Sequence, residues 1–225
     1  MRRLMFVGLL LVLGGCESSA SYLNSQGVNS YYGGNFALAK NYFQEAMLED
    51  PSDPNIYYNL ASSYHRIGDR QQADFFYNQC LMRDPGHARG HHALAVSFME
   101  QGRTDEAHRL IETWVAVEPY RPEPHVELAW LQKEGGDRES ARLSLQRALE
   151  IDPAHPKALT QLASLYEHDR PDRAVVLYER SLQSDRNQPQ VANRLAQLRY
   201  GQPVGGSDPN APRVVQQPAA GPTVR

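Results

Sequence analysis

The feature that most constrains this chain is a period. Shifted against itself by 34 residues, the sequence keeps Ala39, Ala73, Ala107 and Ala141 in step, together with Gly34, Gly68, Gly102 and Gly136. Pro51, Pro85, Pro119 and Pro153 complete the series, each preceded by Asp or Glu. A fixed period of this size with two helical patterns per unit predicts an all-α fold, a solenoid of stacked helical hairpins. One hairpin cannot bury its apolar stripe alone, so its neighbours must supply the rest of the core.

The unit from Pro54 to His87 shows why each half is a helix. Tyr57, Leu60, Ala61 and Tyr64 have the i, i+3, i+4, i+7 spacing of one helix face. Gly68 and Asp69 break that pattern, with Asp69 placed to cap a second helix and Gln72 three residues on. Ala73, Tyr77 and Cys80 form the second stripe, and Asp84-Pro85 ends the unit because proline disfavours helix before it and lacks an N–H. Ala61 and Ala73 allow close backbone approach beside the bulk of Tyr64 and Tyr77. These residues resemble the tetratricopeptide repeat family. The resemblance implies about five repeats, at 20–53, 54–87, 88–121, 122–155 and 156–187, closed by a capping helix at 188–200.

Some units depart from the pattern. Gln26 and Ser30 replace the apolar residues of later units, as expected of an end repeat facing solvent. Trp114 stands where neighbouring units carry Ala46, Cys80 and Ala148, which predicts a local splaying of helices around its ring. The fifth unit loses one residue in its turn, where His168-Asp169-Arg170-Pro171 replaces the glycine, and no proline ends it. Cys80 is expected to be a small core hydrophobe, since no second cysteine of the folded part is present to pair with it.

Residues 1–15, with Arg2 and Arg3 before the apolar run Leu4 to Leu13, read as a signal peptide too short to span a bilayer. Leu13-Gly14-Gly15-Cys16 resembles the bacterial lipobox, which implies lipidation of Cys16 (palmitate among its acyl chains) and a tether of only 16–19 before the first helix. Several acyl chains on one residue give stable anchoring where one would not. Glu17 following the cysteine implies, by the same resemblance, the outer membrane, with the repeats facing the periplasm. Residues 201–225, with nine Pro or Gly, are expected to be a disordered tail.

Chemistry is sparse. A net charge of -3 with interspersed signs leaves no basic footprint for nucleic acid. The sequence lacks a phosphate loop, HExxH, CxxC or nucleophile elbow, so no enzyme, no cofactor and no small-molecule substrate are expected. His87, His91 and His92 cluster, and an i, i+4 pair such as His87 and His91 could hold a metal on a helix. Against that, His87 lies before the helix, and His91 and His125 stand where Tyr57 packs, which favours structural histidines.

What remains is a second stripe on each first helix. It comprises Asn24, Val28 and Tyr31; Tyr58, Ser62 and His65; His92, Val96 and Met99; Val126, Trp130 and Lys133; and Thr160, Ser164 and Glu167. In the family it resembles, first helices line a concave groove that binds protein or peptide. Tyr31, Tyr58, His65, His92, Met99, Trp130 and Lys133 are therefore the expected partner-binding residues, being aromatic, sulfur-bearing or cationic types common at binding hot spots. Repeat lipoproteins of this kind serve in assembling envelope machinery such as pili, secretion channels or outer-membrane protein complexes. Regulatory adaptors of peptidoglycan enzymes or envelope proteases are the alternative, and a histidine-cluster metal carrier the remote one.

Overall fold

The computed structural model describes residues 19–201, so the leader, Cys16 and the tail beyond Gly201 lie outside the described residues. Among those described there are eleven helices and no strand. They fall into two compact units that divide between Ile151 and Asp152.

The first unit runs α1 (Ser19–Tyr32), α2 (Phe36–Glu49), α3 (Pro54–Ile67), α4 (Arg70–Arg83), α5 (Ala88–Glu100), α6 (Thr104–Val117), α7 (Pro122–Glu134) and α8 (Arg138–Ile151). Each helix packs on the next, and α1, α3, α5 and α7 also touch one another in sequence. The odd helices therefore form one row. The second unit holds α9 (Pro156–Tyr166), α10 (Pro171–Ser184) and α11 (Pro189–Tyr200), packed in order.

The landmark residues occupy positions that only small or special residues can fill. Gly34, Gly68, Gly102 and Gly136 have φ of 81°, 92°, 72° and 86°, the left-handed region where any other L-residue is strained. Ala39, Ala73, Ala107, Ala141 and Ala174 are fully buried where paired helices meet. Asp69 accepts a bond from the Gln72 backbone N–H at 3.1 Å and so caps α4. Cys80 is fully buried, and burial pushes its thiol up to about 12, so it is a packing residue with little thiolate.

Trp114 enters the core, as its burial shows. Its indole lies flat on the His91 ring, 4.0 Å away and 7° from parallel, and its Nε1–H donates to Glu118 at 2.6 Å. Room for it comes from looser packing of α6 on α5 than in the neighbouring hairpins. A cleft of about 510 Å³ opens there, lined by Leu81, Met82, Pro85, Leu110, Trp114 and Val117 among others. The expected splaying is thus present.

In the second unit the missing residue comes out of the helix and not the turn: α9 has 11 residues against 13 or 14 in α1, α3, α5 and α7, and the four-residue connector 167–170 leads to α10 at Pro171. Glu167 takes over the tying role, accepting from the Tyr178 hydroxyl at 2.6 Å and from Arg194 Nε at 2.7 Å. Buried Ser181 bonds Thr160, the Pro156 carbonyl and Gln188, which fastens the start of α11 to the hairpin.

One packing detail escaped the repeat pattern. Gly27 stands in α1 where α3, α5 and α7 carry Ala61, Ala95 and Ala129. A Cβ built there would lie 2.4 Å from the ring of Phe43, itself 1% exposed. Replacing a mid-helix glycine by alanine ordinarily stabilises by about 1 kcal/mol. Here overpacking, costing about 1–3 kcal/mol, should win. Gly27→Ala is therefore expected to lower the melting temperature, and a higher one would show that Phe43 moves aside freely.

Candidate functional site

The odd-helix row carries the residues singled out for partner binding. Tyr31, Tyr58, His65, His92, Met99 and Trp130 are all half-buried, while Lys133 stands exposed on the last turn of α7 beside Glu134 at 4.0 Å. Half-burial is what a ready-made binding face needs: the rings are held by the fold on one side and open on the other. The structure divides them into clusters and does not make them one continuous aromatic strip.

The first cluster surrounds a cavity of about 390 Å³ lined by Asn24, Val28, Tyr31, Tyr58, Asn59, Ser62 and Arg89, with others. Tyr31 packs edge-on against Phe36 at 5.2 Å, and burial raises its phenol above the ordinary value. Tyr58 lies 6.0 Å from the Tyr77 ring and 5.4 Å from that of His87. The Arg89 guanidinium sits 4.9 Å above Tyr58 and donates to Asn55 at 2.9 Å. Asn59 donates to Asn24 at 2.9 Å. Side-chain amides and a cation thus rim an aromatic floor.

The second cluster joins α5 to α7. His92 and Trp130 meet edge-to-face at 4.5 Å, and His92 Nδ1 lies 2.7 Å from Glu127 Oε2. Glu127 is only 2% exposed. Met99 and Trp130 pack onto the central core formed by Leu94, Phe98, Ile111 and Leu131. Further along the row, His65 Nε2 is 3.0 Å from Glu100, which Arg70 also approaches at 3.6 Å.

Sequence reasoning missed Glu127, Asn55 and Arg89, and it misplaced one residue. Val126 is 1% exposed and belongs to the core. The first turn of α7 is buried on several sides at once, with Pro124, His125, Val126 and Glu127 all enclosed, so a single-stripe reading fails there. A signal for the Glu127 contact was present: Asn24–Asn59, His65–Glu100 and His92–Glu127 are each separated by 35 residues. That is one repeat plus one residue, the offset at which consecutive odd helices reach each other.

Two of the three clustered histidines, His87 and His91, are spent on the scaffold. His87 caps α5, its Nδ1 accepting from the Gly90 N–H at 2.9 Å, and its Nε2 faces Asn55 at 3.3 Å. His91 Nε2 lies 2.9 Å from the Pro85 carbonyl, and His125 Nε2 lies 3.0 Å from that of Pro119. Tyr57 makes the corresponding bond to Pro51 at 3.1 Å. A carbonyl only accepts, so both imidazoles carry their proton on Nε2. Among the described residues no three His, Cys, Asp or Glu side chains converge as metal ligands.

Comparison with known proteins now fits this geometry. The tetratricopeptide repeat sequence model matches residues 33–96 and 98–165, more than half of the chain. The chain belongs to the tetratricopeptide repeat family, whose fold is a scaffold for protein–protein interaction. No curated protein matches it. The chain is similar in structure to TTC0263, a thermophilic TPR protein in Thermus thermophilus. The TM-score is 0.61 at 23% identity, over 80% of this chain and 98% of that one. Pseudomonas aeruginosa PilF gives a TM-score of 0.53 at 20% identity, over 80% and 84% of the respective chains. A chain of the APC/C hetero-tetramer Cut9–Hcn1 gives 0.56 at 19% identity, over 80% of this chain and 36% of that one. These likenesses establish the shared fold.

The buried histidines set a pH response. Burial pushes the His91 imidazole below its ordinary 6.5, and burial, then the charge of Arg89, does the same to His87. Protonating His91 would also place an N–H on Nδ1, which has no hydrogen-bond partner in the structure. A group depressed in the folded state takes up its proton more readily when unfolded. Stability is therefore full above about pH 6.5 and lost as the pH falls below it. Melting temperature should drop between about pH 7 and pH 5, and His91→Tyr, which restores the phenol of Tyr57, should shrink the drop. An equal acid loss in that variant would remove His91 as the source.

Proposed function

We propose that the protein is a lipid-anchored scaffold that holds a protein or peptide partner on its odd-helix row, in the assembly of a cell-envelope machine. The observation that carries the binding reading is the set of half-buried rings Tyr58, His92 and Trp130 on three consecutive odd helices. Tyr58 and Trp130 back onto the core and His92 is held by Glu127 and the Trp130 ring, so little side-chain freedom is lost when a partner covers their fronts. Amide groups at Asn24 and Asn59 sit beside Tyr58 and suit the N–H and C=O groups of an extended chain. The envelope reading is supported by the lipobox-like sequence at Leu13 to Cys16 preceding a repeat array. Reactions are not assigned to this protein, since the fold supplies a surface and the row supplies recognition groups.

Two experiments test the halves of this reading. Truncating a central interface aromatic typically costs 2 kcal/mol or more, about a thirtyfold loss of affinity. For the partner recovered from envelope extract, Trp130→Ala should lose far more binding than its modest fall in melting temperature accounts for. Tyr64, stacked on Phe76 at 5.4 Å and bonded by Gln44, should lose stability first when truncated. Normal binding with early melting in Trp130→Ala would make Trp130 a core residue. For the anchor, Cys16→Ser should abolish acyl labelling and release the protein from the membrane fraction, and unchanged labelling would sink the lipoprotein reading.

A further inference from the structure

The first unit has two edges where its turns lie, and one of them is apolar. At the edge formed by the ends of α2, α4 and α6, Leu48, Met82, Val117 and Tyr120 are each 70–80% exposed. Tyr22, in the first turn of α1, is more than half exposed beside them. The edge is continuous. Ser19 Oγ reaches Glu49 at 2.5 Å, and Arg83 Nε reaches the Pro51 carbonyl at 2.8 Å.

The charges of this edge are tied into its own turns. Asp50 accepts from the Ser52 N–H and hydroxyl, and Asp84 accepts from the Gly86 N–H. Glu118 accepts from Trp114 and Arg121. Leu48, Met82, Val117 and Tyr120 stand outward beside Glu49 and Arg121, which are exposed but bonded to Ser19 and Glu118, and the cleft between Met82 and Val117 opens beside them. The opposite, glycine-turn edge exposes Tyr32 and Ile67.

What covers the apolar edge follows from where the chain comes from. Only Glu17 and Ser18 separate Cys16 from the first described residue, Ser19. Three residue steps span about 10 Å at most. Acyl chains on Cys16 would hold the start of α1, and with it this edge, against the headgroups. Apolar side chains and tyrosines favour that zone, and charged groups satisfied by hydrogen bonds are tolerated there. We propose that the edge bearing Tyr22, Leu48, Met82, Val117 and Tyr120 lies on the interfacial layer of the bilayer that holds the Cys16 anchor. The proposal rests on the lipid-anchor reading above. It fixes the orientation of the first unit: the turns at 50–53, 84–87 and 118–121 face lipid, and the odd-helix row stands clear for a partner.

Amide hydrogen exchange on the acylated protein in phosphatidylcholine vesicles tests this, with the unacylated chain in solution as reference. Exchange at 48–52, 82–87 and 117–121 is expected to slow about tenfold on vesicles, with no change at 33–35, 68–70 and 102–104. The triple variant Leu48→Ser, Met82→Ser and Val117→Ser should stay on the vesicles through its acyl chains yet lose that slowing. The pair Tyr32→Ser and Ile67→Ser should keep it. Equal exchange at both edges of vesicle-bound protein overturns the proposal. If acyl labelling finds Cys16 unmodified, the anchor reading fails separately. The same comparison on the chain joined through Cys16 to a maleimide lipid then decides the edge, and absence of slowing there overturns it.

Discussion

The structure depends on how closely two helix backbones approach at one small residue per repeat. Ala39, Ala73, Ala107, Ala141 and Ala174 are all fully buried at that contact. Each shares its hairpin with a larger residue on the same stripe: Phe43, Tyr77, Ile111, Leu145 and Tyr178. A methyl group sets the spacing, the larger side chain fills the wedge beside it, and dispersion contacts accumulate across the seam. The odd helices obey a matching rule with Gly27, Ala61, Ala95, Ala129 and Ala163. In the first hairpin the Phe43 ring comes so near that even the methyl is dropped.

Those two series also determine where recognition groups can stand. With small residues committed to the seam, the remaining positions of each odd helix present side chains along the row. The row is stitched by bonds one repeat plus one residue long, between Asn24 and Asn59, His65 and Glu100, and His92 and Glu127. The stitching holds the rings at fixed spacing, so a partner meets a surface already arranged. It also uses up polar capacity: His65 and His92 are engaged with glutamates and meet a partner as members of pairs.

Much of this was legible in the sequence. Ala73, Gly68 and Pro85 each answer a backbone demand that one residue type satisfies best, so they recur and reveal the register directly. Trp114 announced its own consequence, because a ring in an alanine-sized place must open the packing around it. The contact of Glu127 with His92 could be traced in the 35-residue offset, but that between Arg89 and Asn55 was not legible, because it depends on the stagger between neighbouring hairpins and not on any one helix. Val126 was misplaced for a related reason. A stripe argument assumes each helix has one buried side, and the start of α7 is enclosed on several.

The bonds to the turn-proline carbonyls carry a consequence for how such a chain can change in length. Tyr57, His91 and His125 reach back six residues, to Pro51, Pro85 and Pro119, so each joint is closed by the hairpin that follows it. A phenol and an imidazole serve equally, which makes the slot indifferent to which donor fills it. A duplicated or excised segment of one period would therefore carry its own donor or take it away, leaving no carbonyl orphaned in the interior. The array is built like links whose clasps belong to the link itself, and growth by whole units costs it no new joinery.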